Sequence, residues 1–461
     1  MLPIVIVCFN NHEYVKNMLN TLESINKDYL NQVILLDNNS QRKETIAFLN
    51  NVSTRVVFNK TNMGPWVSQY DNAHLYNELP EKFILTDPDL QLNPNTPPDF
   101  IEQLVKLSEQ YPEASKIGLA LDLSDHHLFF DGIYSGGKSI YEHESQFWTT
   151  PIVNSQYELY RAHVDTTFCI INKTVAHRWE SHIRVAGVFT CKHVPWYKTN
   201  PVLSVYENYT RAKSNTNIST ISPLITSSIE RDYLCIKKNE QTVLIQKNSI
   251  DKNLGFWRDT FSTWEPYTFH IFDRFLDPTK TCIDIGGWIG TTCIYASRKS
   301  KNVIVIEADP LSYTDLERNC RLNDCNNVSL IHKAVFNETG RRITIVGNNE
   351  STSQITLDGS GHPIDTISLN TLLVETKTDP STISLIKVDI EGAEEFILHD
   401  LYEMHKTYNI PLYVSFHYSF FKDKNLDRFE FLTEHQKNII RFNPFPSFLF
   451  YSDSQVDYLM S

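Results

Sequence analysis

Short β-branched runs alternate with helical patterns through the first half of the chain. Pro3-Ile-Val-Ile-Val-Cys-Phe9 reads as a buried strand, His12 to Leu22 repeats its apolar residues at helical spacing, and Gln32-Val-Ile-Leu-Leu-Asp37 reads as a second strand. This βαβ rhythm predicts parallel pairing. It gives way near Tyr209 to RAKSNTNISTISPLITSS, a Ser-, Thr- and Asn-rich stretch without a clear period of either kind, read here as a linker over 209–229. Beyond it, the segment from Asp232 reads as two strands around a polar turn, and Trp264 to Leu276 as a helix. A second βαβ series starts at Thr281. Near the end, DRFEFLTEHQKNII is helical in pattern, and Ser447-Phe-Leu-Phe-Tyr451 is apolar enough to complete a sheet. The two halves carry different motifs, so two α/β domains are expected, over 1–208 and 230–461.

Composition narrows the field. With 461 residues and 41% hydrophobic content the chain exceeds what one core usually supports. Its 42 Lys and Arg stand against 55 Asp and Glu, a formal net charge of −13, which argues against nucleic acid as a partner. The eight cysteines form no CxxC pair, so neither a zinc site nor a disulfide framework is suggested, and a reducing, cytoplasmic compartment is the simpler expectation. The first apolar run is too short to span a membrane. Triplets such as Asn59-Lys-Thr and Asn217-Ile-Ser are given no role, and oligomeric state is not legible.

Four segments of the second half carry candidate chemistry. Thr281-Cys-Ile-Asp-Ile-Gly-Gly-Trp-Ile-Gly-Thr-Thr292 runs from a strand into a turn whose Gly286, Gly287 and Gly290 let backbone approach a cofactor. The next strand, Asn302-Val-Ile-Val-Ile, ends in Glu307, where a doubly wound fold places the acid that binds ribose hydroxyls. An NAD-dependent oxidoreductase shares that much. Two later segments separate the readings: Ser384-Leu-Ile-Lys-Val-Asp-Ile-Glu-Gly-Ala-Glu394 and Pro411-Leu-Tyr-Val-Ser-Phe-His-Tyr418.

The ordered set WEPYTFHIFDRFL, CIDIGGWIGTT, VIVIEADP, IKVDIEGAEEFIL and LYVSFHY resembles FkbM-type S-adenosylmethionine (SAM)-dependent methyltransferases over roughly Arg231 to Phe421. The resemblance implies a class I, Rossmann-like fold with SAM across the carboxyl ends of the strands. Asp284, Gly286 and Gly290 would then surround the methionine part of SAM, Glu307 would hold the ribose, and Asp389 and Glu391 would face the reaction centre. Asp389 has a structural alternative as the N-cap of a helix over Glu391 to Leu398. His417, with an ordinary pKa near 6.5, is the candidate base that removes a hydroxyl proton, or else a structural hydrogen-bonder. Cys282 and Cys293 are expected in the core.

In the first half, Thr86-Asp-Pro-Asp89 places Asp87 and Asp89 at a strand end, where paired carboxylates suit Mg²⁺ or Mn²⁺ with a diphosphate; the same residues also make good turn chemistry. IVIVCFNNHEYVKNMLNTLE, VILLDNNS, Asn62-Met-Gly-Pro-Trp66, Arg161-Ala-His-Val-Asp-Thr-Thr-Phe168 and Cys191-Lys-His-Val-Pro-Trp-Tyr197 resemble family 2 glycosyltransferases of the GT-A fold over roughly Leu2 to Tyr197. That resemblance makes Asp87 and Asp89 the DxD carboxylates and His193 a further metal ligand or a satisfied polar residue. Asn10, Asp37 and Asp87 would contact the nucleotide-sugar, and Asp165 the acceptor as a base. Trp196 and Tyr197 either stack on a sugar or close the core. The glycines of Ser135-Gly-Gly-Lys138 are a turn. The whole then reads as a bifunctional enzyme that adds a sugar to a glycan acceptor and O-methylates a sugar hydroxyl. The alternative keeps the methyltransferase and makes the first half a non-catalytic glycan-binding module.

Overall fold

A computed structural model describes residues 1–214, 220–248, 251–347, 349–356, 359–452 and 455–460. The chain divides into two compact units, Met1–Ile229 and Glu230–Ser461.

The first unit is built on a nine-stranded sheet. Its order is Arg55–Phe58, Val33–Asp37, Ile4–Cys8, Lys82–Thr86, Cys169–Asn172, Lys116–Leu119, His182–Val185, Leu159–Arg161 and Pro151–Ile152. The first four strands pair in parallel, as the βαβ rhythm predicts, and Cys169–Asn172 runs antiparallel between Lys82–Thr86 and Lys116–Leu119. Both faces of Ile4–Cys8 and Val33–Asp37 are covered, which explains why these strands read as continuous apolar runs rather than alternating ones. The stretch expected as a linker is largely helical, over Val205–Ser214 and Ser222–Asp232. Residues 215–219, with Asn217, lie outside the described residues. Ile221, just before the second of these helices, and Leu224, Ile225 and Ile229 on it are buried, a three-to-four-residue spacing masked in sequence by the surrounding Ser and Thr.

The second unit opens with the hairpin Tyr233–Lys238 and Gln241–Gln246 and the helix Pro266–Phe275. Its main sheet has the order Val328–His332, Asn302–Glu307, Thr281–Ile285, Ile383–Val388, Leu412–Ser415, Pro446–Ser452 and Gln455–Met460. The first five strands are parallel, and Pro446–Ser452 pairs antiparallel with both Leu412–Ser415 and Gln455–Met460. Alternate residues feed two cores. Ile283, Ile285, Ile304, Ile306, Ile386 and Val388 pack on one face, and Cys282, Val303, Val305, Leu385 and Tyr413 on the other. A doubly wound sheet of this order leaves a crevice where the direction of winding reverses, between Thr281–Ile285 and Ile383–Val388. All eight cysteines are free, and Cys282 and Cys293 are core residues. Among the described residues no helix is long and apolar enough to cross a membrane.

The crevice is narrow enough to demand glycine. At φ +94°, Gly286 sits where an added Cβ would lie 1.9 Å from the Asp389 carbonyl oxygen. Gly255, by contrast, has open space around it. Chemical denaturation should therefore show Gly286→Ala losing about 2 kcal/mol or more, since strain and overpacking add. Gly255→Ala should gain about 0.5 kcal/mol through the unfolded state. Equal effects at the two positions would contradict the tight strand junction.

Candidate active sites

In the second unit, the ends of Thr281–Ile285, Asn302–Glu307, Ile383–Val388 and Leu412–Ser415 bring most of the expected residues to one region. A cavity of about 620 Å³ is lined by Gly286, Trp288, Lys387, Asp389, Glu391 and His417, with Trp264, Tyr267 and Phe445 among its aromatic walls. A smaller cavity of about 60 Å³ shares Gly286, Trp288, Asp389 and Glu391 and adds Glu307. Three non-glycine residues on the large cavity, Glu265, Trp288 and Glu391, hold left-handed φ values of 42°, 44° and 52°. Backbone strain of this kind persists only where surrounding packing fixes it, and it concentrates at functional sites.

Asp284 lines neither cavity. It is fully buried, accepts from Thr292 Oγ1 at 2.6 Å and faces Lys387 Nζ at 3.5 Å. Lys387 is its neighbour in the parallel register, and the same ammonium lies 3.5 Å from Asp389 Oδ2. The sequence reading missed Lys387, although a lysine inside an otherwise apolar strand was a signal that a buried anion must lie beside it. Glu307 accepts from the backbone N–H of Trp288 at 2.8 Å and of Asp309 at 2.7 Å. A carboxylate has about four acceptor positions, so room remains for ribose hydroxyls. Burial pushes the Glu307 carboxyl up to about 7, against the pull of those N–H groups.

Asp389 is not a helix cap. Gly392 takes a left-handed φ of 100°, a 3₁₀ turn follows over Ala393–Phe396, and the helix starts at Leu398. The fully buried Glu394 does the local capping, accepting from the N–H groups of Ile390 at 3.0 Å and Gly392 at 2.9 Å. Its Oε1 also lies 3.0 Å from His417 Nδ1. This fixes the ring so that Nε2 faces Asp389 and Glu391. Burial alone would lower the pKa of His417, but Glu394, Asp389 and Glu391 outweigh it and lift the imidazole to about 9. The three carboxylates thus favour the protonated ring, which works against His417 as the base that takes a hydroxyl proton.

In the first unit, cavities of about 430 and 230 Å³ share Asp87, Tyr134, Asp165, Thr166 and His193. Asp89 Oδ2 lies 3.4 Å from His193 Nε2. The backbone holds this pair in place, because His193 pairs with Leu90 across a short antiparallel ladder. Asp87 turns instead to the Thr166 hydroxyl, and burial followed by the charge of Asp89 pushes its carboxyl up to about 8. The expected trio of Asp87, Asp89 and His193 therefore does not converge as a preformed ligand set. Asn10 and Asp37 line neither cavity: Asn10 Oδ1 accepts from the N–H groups of Gln41 and Arg42, and Asp37 from Ser40. Asn11 and Asn38 line the larger cavity in their place. Trp196 and Tyr197 are buried and pack on Phe129, although Trp196 also edges the smaller cavity. Gly136 and Gly137 form the expected turn. A buried ion pair, Arg184 with Glu144, borders the smaller cavity and was not foreseen.

A doubly wound sheet with acids and glycines gathered at its switch point is a Rossmann-like arrangement. Residues 284–446 match the family model described as the methyltransferase FkbM domain, so the second unit carries a domain of that type. Partial similarity extends to an RNA methyltransferase from Salinibacter ruber in complex with S-adenosyl-L-homocysteine, at 13% identity, 33% of this chain, 75% of that chain and a TM-score of 0.20. TYW2 of P. horikoshii in complex with MeSAdo gives 19% identity, 22% and 36% coverage and a TM-score of 0.18. Methyltransferase FkbM from Methylobacillus flagellatus KT gives 14%, 46%, 47% and 0.24. The chain thus spans less than half of the last two proteins. No curated protein matches it.

The buried lysine yields a direct test. Lys387→Met should lower stability by about 3–5 kcal/mol, because Asp284 is left buried without its cation. Pairing it with Asp284→Asn should restore part of that loss. If denaturation curves show the double variant to be less stable than Lys387→Met, the two side chains are not charge partners.

Proposed function

We propose that the chain is a glycan-modifying enzyme with two transfer activities: a SAM-dependent O-methyltransferase in the second unit and a nucleotide-sugar glycosyltransferase of GT-A type in the first. The observation that carries the methyl-transfer reading is the match over 284–446 together with the cavity in which Gly286, Asp389, Glu391 and His417 meet. The residues fit SAM: Gly286 leaves its approach open, Glu307 retains acceptor capacity for a ribose, and the carboxylates suit a cationic sulfonium. When bound, SAM supplies an electrophilic methyl carbon.

The protein's task is then alignment and proton removal. Trp264, Tyr267 and Phe445 offer apolar faces on which a sugar ring can lie. With SAM bound, an acceptor hydroxyl taking the methyl group would have to lose its proton, and a carboxylate of this cavity would receive it. Asp389 is the carboxylate assigned that role in this reading, because it lines the cavity and lies 3.5 Å from the Lys387 ammonium.

For the first unit, support comes from the motif resemblance and from Asp87, Asp89, Asp165 and His193 around two adjoining cavities. The fit to a divalent cation rests on Asp89 and His193, whose Oδ1 and Nδ1 atoms are buried without hydrogen-bond partners. Asp87 would join them by releasing Thr166. A cation there would help a nucleoside diphosphate depart, with Asp165 activating the acceptor hydroxyl if the reaction inverts the anomeric centre. The bond between Asp87 and Thr166 favours a second reading, in which this unit binds glycan without turning over a donor.

A thermal-shift panel separates these readings. S-adenosylhomocysteine at about a hundred times its Kd should stabilise its unit by roughly 2.7 kcal/mol, and Glu307→Gln should weaken its binding about tenfold or more. One of UDP, GDP, CDP or dTDP should add a Mn²⁺-dependent shift. No such shift would leave the glycan-binding reading in place, and a response to NAD instead of S-adenosylhomocysteine would overturn methyl transfer.

A further inference from the structure

Among the described residues, one set of three side chains brings metal-ligating atoms within 4.8 Å of one another: Asp389, Glu391 and His417. We infer that these three residues form a divalent-cation site in the second unit, with its open coordination positions facing the large cavity and taking hydroxyl oxygen from the methyl acceptor. The role toward the acceptor rests on the methyltransferase reading; the cation site itself does not.

Geometry comes first. His417 Nε2 lies 3.6 Å from Asp389 Oδ1 and 3.4 Å from Glu391 Oε1. Two ligands about 2.0–2.2 Å from a shared ion, at right or tetrahedral angles, stand roughly 3.0–3.5 Å apart. The atoms are therefore close to coordinating positions already. They come from adjacent strand ends, since Val388 pairs in register with Val414.

The surroundings match what metal ligands need. His417 is 5% exposed, and its Nδ1 is held by Glu394, itself fully buried and tied to two backbone N–H groups. A carboxylate behind a histidine fixes ring orientation in this way at metal sites and increases the basicity of the coordinating nitrogen. An independent sign is Glu391 Oε2, which is buried yet has no hydrogen-bond partner. Charge points the same way: Glu265, Asp389 and Glu391 line the cavity, and Lys387 is the one Lys or Arg among its lining residues. One nitrogen and two carboxylates suit Mn²⁺ or Mg²⁺.

Such an ion leaves coordination positions free for an acceptor hydroxyl. Coordination polarises the O–H bond and lowers its pKa. The proton then leaves to a carboxylate or to water, the oxygen–methyl bond forms, and sulfur keeps the electron pair of the bond that breaks. No oxidant or reductant is required.

The test uses the full chain after EDTA treatment and desalting, with Mn²⁺ as probe and free Mn²⁺ followed by electron paramagnetic resonance. An Asp87→Asn/Asp89→Asn background removes the first unit's carboxylates from the count. In that background one Mn²⁺ should still bind per chain. Adding Glu391→Gln should weaken it about tenfold or more, and Glu394→Gln, which only loosens the histidine, by a smaller factor. Circular dichroism and an S-adenosylhomocysteine thermal shift check that each variant is folded. Absence of Mn²⁺ binding in the background variant, or binding unaffected by Glu391→Gln, would sink the inference. S-adenosylhomocysteine binding without Mn²⁺ binding overturns the metal site and leaves methyl transfer standing; the converse keeps the metal site and removes the methyltransferase reading.

Discussion

A lysine ammonium held between two carboxylates organises the second unit. Lys387 lies in a strand whose faces are both buried, where an uncompensated charge would cost several kcal/mol. Asp284, its neighbour on the next strand, and Asp389, at the end of its own strand, together compensate it, each at 3.5 Å. The arrangement fixes the register of the two central strands chemically as well as by hydrogen bonding. A slip of one residue would turn Asp284 to the opposite face and strand the ammonium. It also sets the direction of Asp389, whose other oxygen is left to face His417.

Much of the remaining site follows from that junction. With Asp284 and Lys387 packed between the strands, the turn after Ile285 must pass close to the Asp389 carbonyl, and only glycine at 286 permits it. The backbone then reaches Trp288 and Glu391 in left-handed conformations that neither side chain prefers. Glu394 holds the second of these turns by accepting two N–H groups, and the same carboxylate orients His417. Capping and ring orientation are thus one interaction seen from two sides, so the loop and the histidine cannot be adjusted separately.

This division also explains what the sequence disclosed. The strands of both units were legible because β-branched runs bounded by turn residues leave little choice, and Gly286, Glu307, Asp389 and His417 could be placed at strand ends by counting. Lys387, Glu394 and Glu265 were not found, since their roles depend on which strands become neighbours and on the charge they meet there. The helix Ser222–Asp232 was hidden for a different reason: its polar face is serine and threonine, which read locally as loop. Asn10 and Asp37 were assigned to a ligand on motif resemblance, but their side chains are consumed in holding the loop around Ser40 to Arg42. A short polar side chain next to an exposed backbone turn often satisfies the turn first.

The two units present carboxylates at the same topological place, the ends of central parallel strands, yet balance them differently. In the second, a fixed ammonium and an oriented imidazole stand among the acids, at 3.5 Å from Asp389 and 3.4 Å from Glu391 respectively. In the first, Lys116 Nζ bonds the backbone oxygen of Asp165 at 3.0 Å, and Asp87 meets a neutral threonine hydroxyl. Burial and then the charge of Asp89 push the Asp87 carboxyl up to about 8, with Thr166 and His193 pulling the other way. A cation entering the first site must displace the Thr166 hydrogen bond before Asp87 can serve as a ligand, and its affinity falls by that cost. At Asp389, Glu391 and His417 the ligand atoms already converge and no hydroxyl has to be turned away, although the imidazole must still release its second proton. Convergence of ligand atoms, more than the number of acids, distinguishes a prepared site from one that must rearrange.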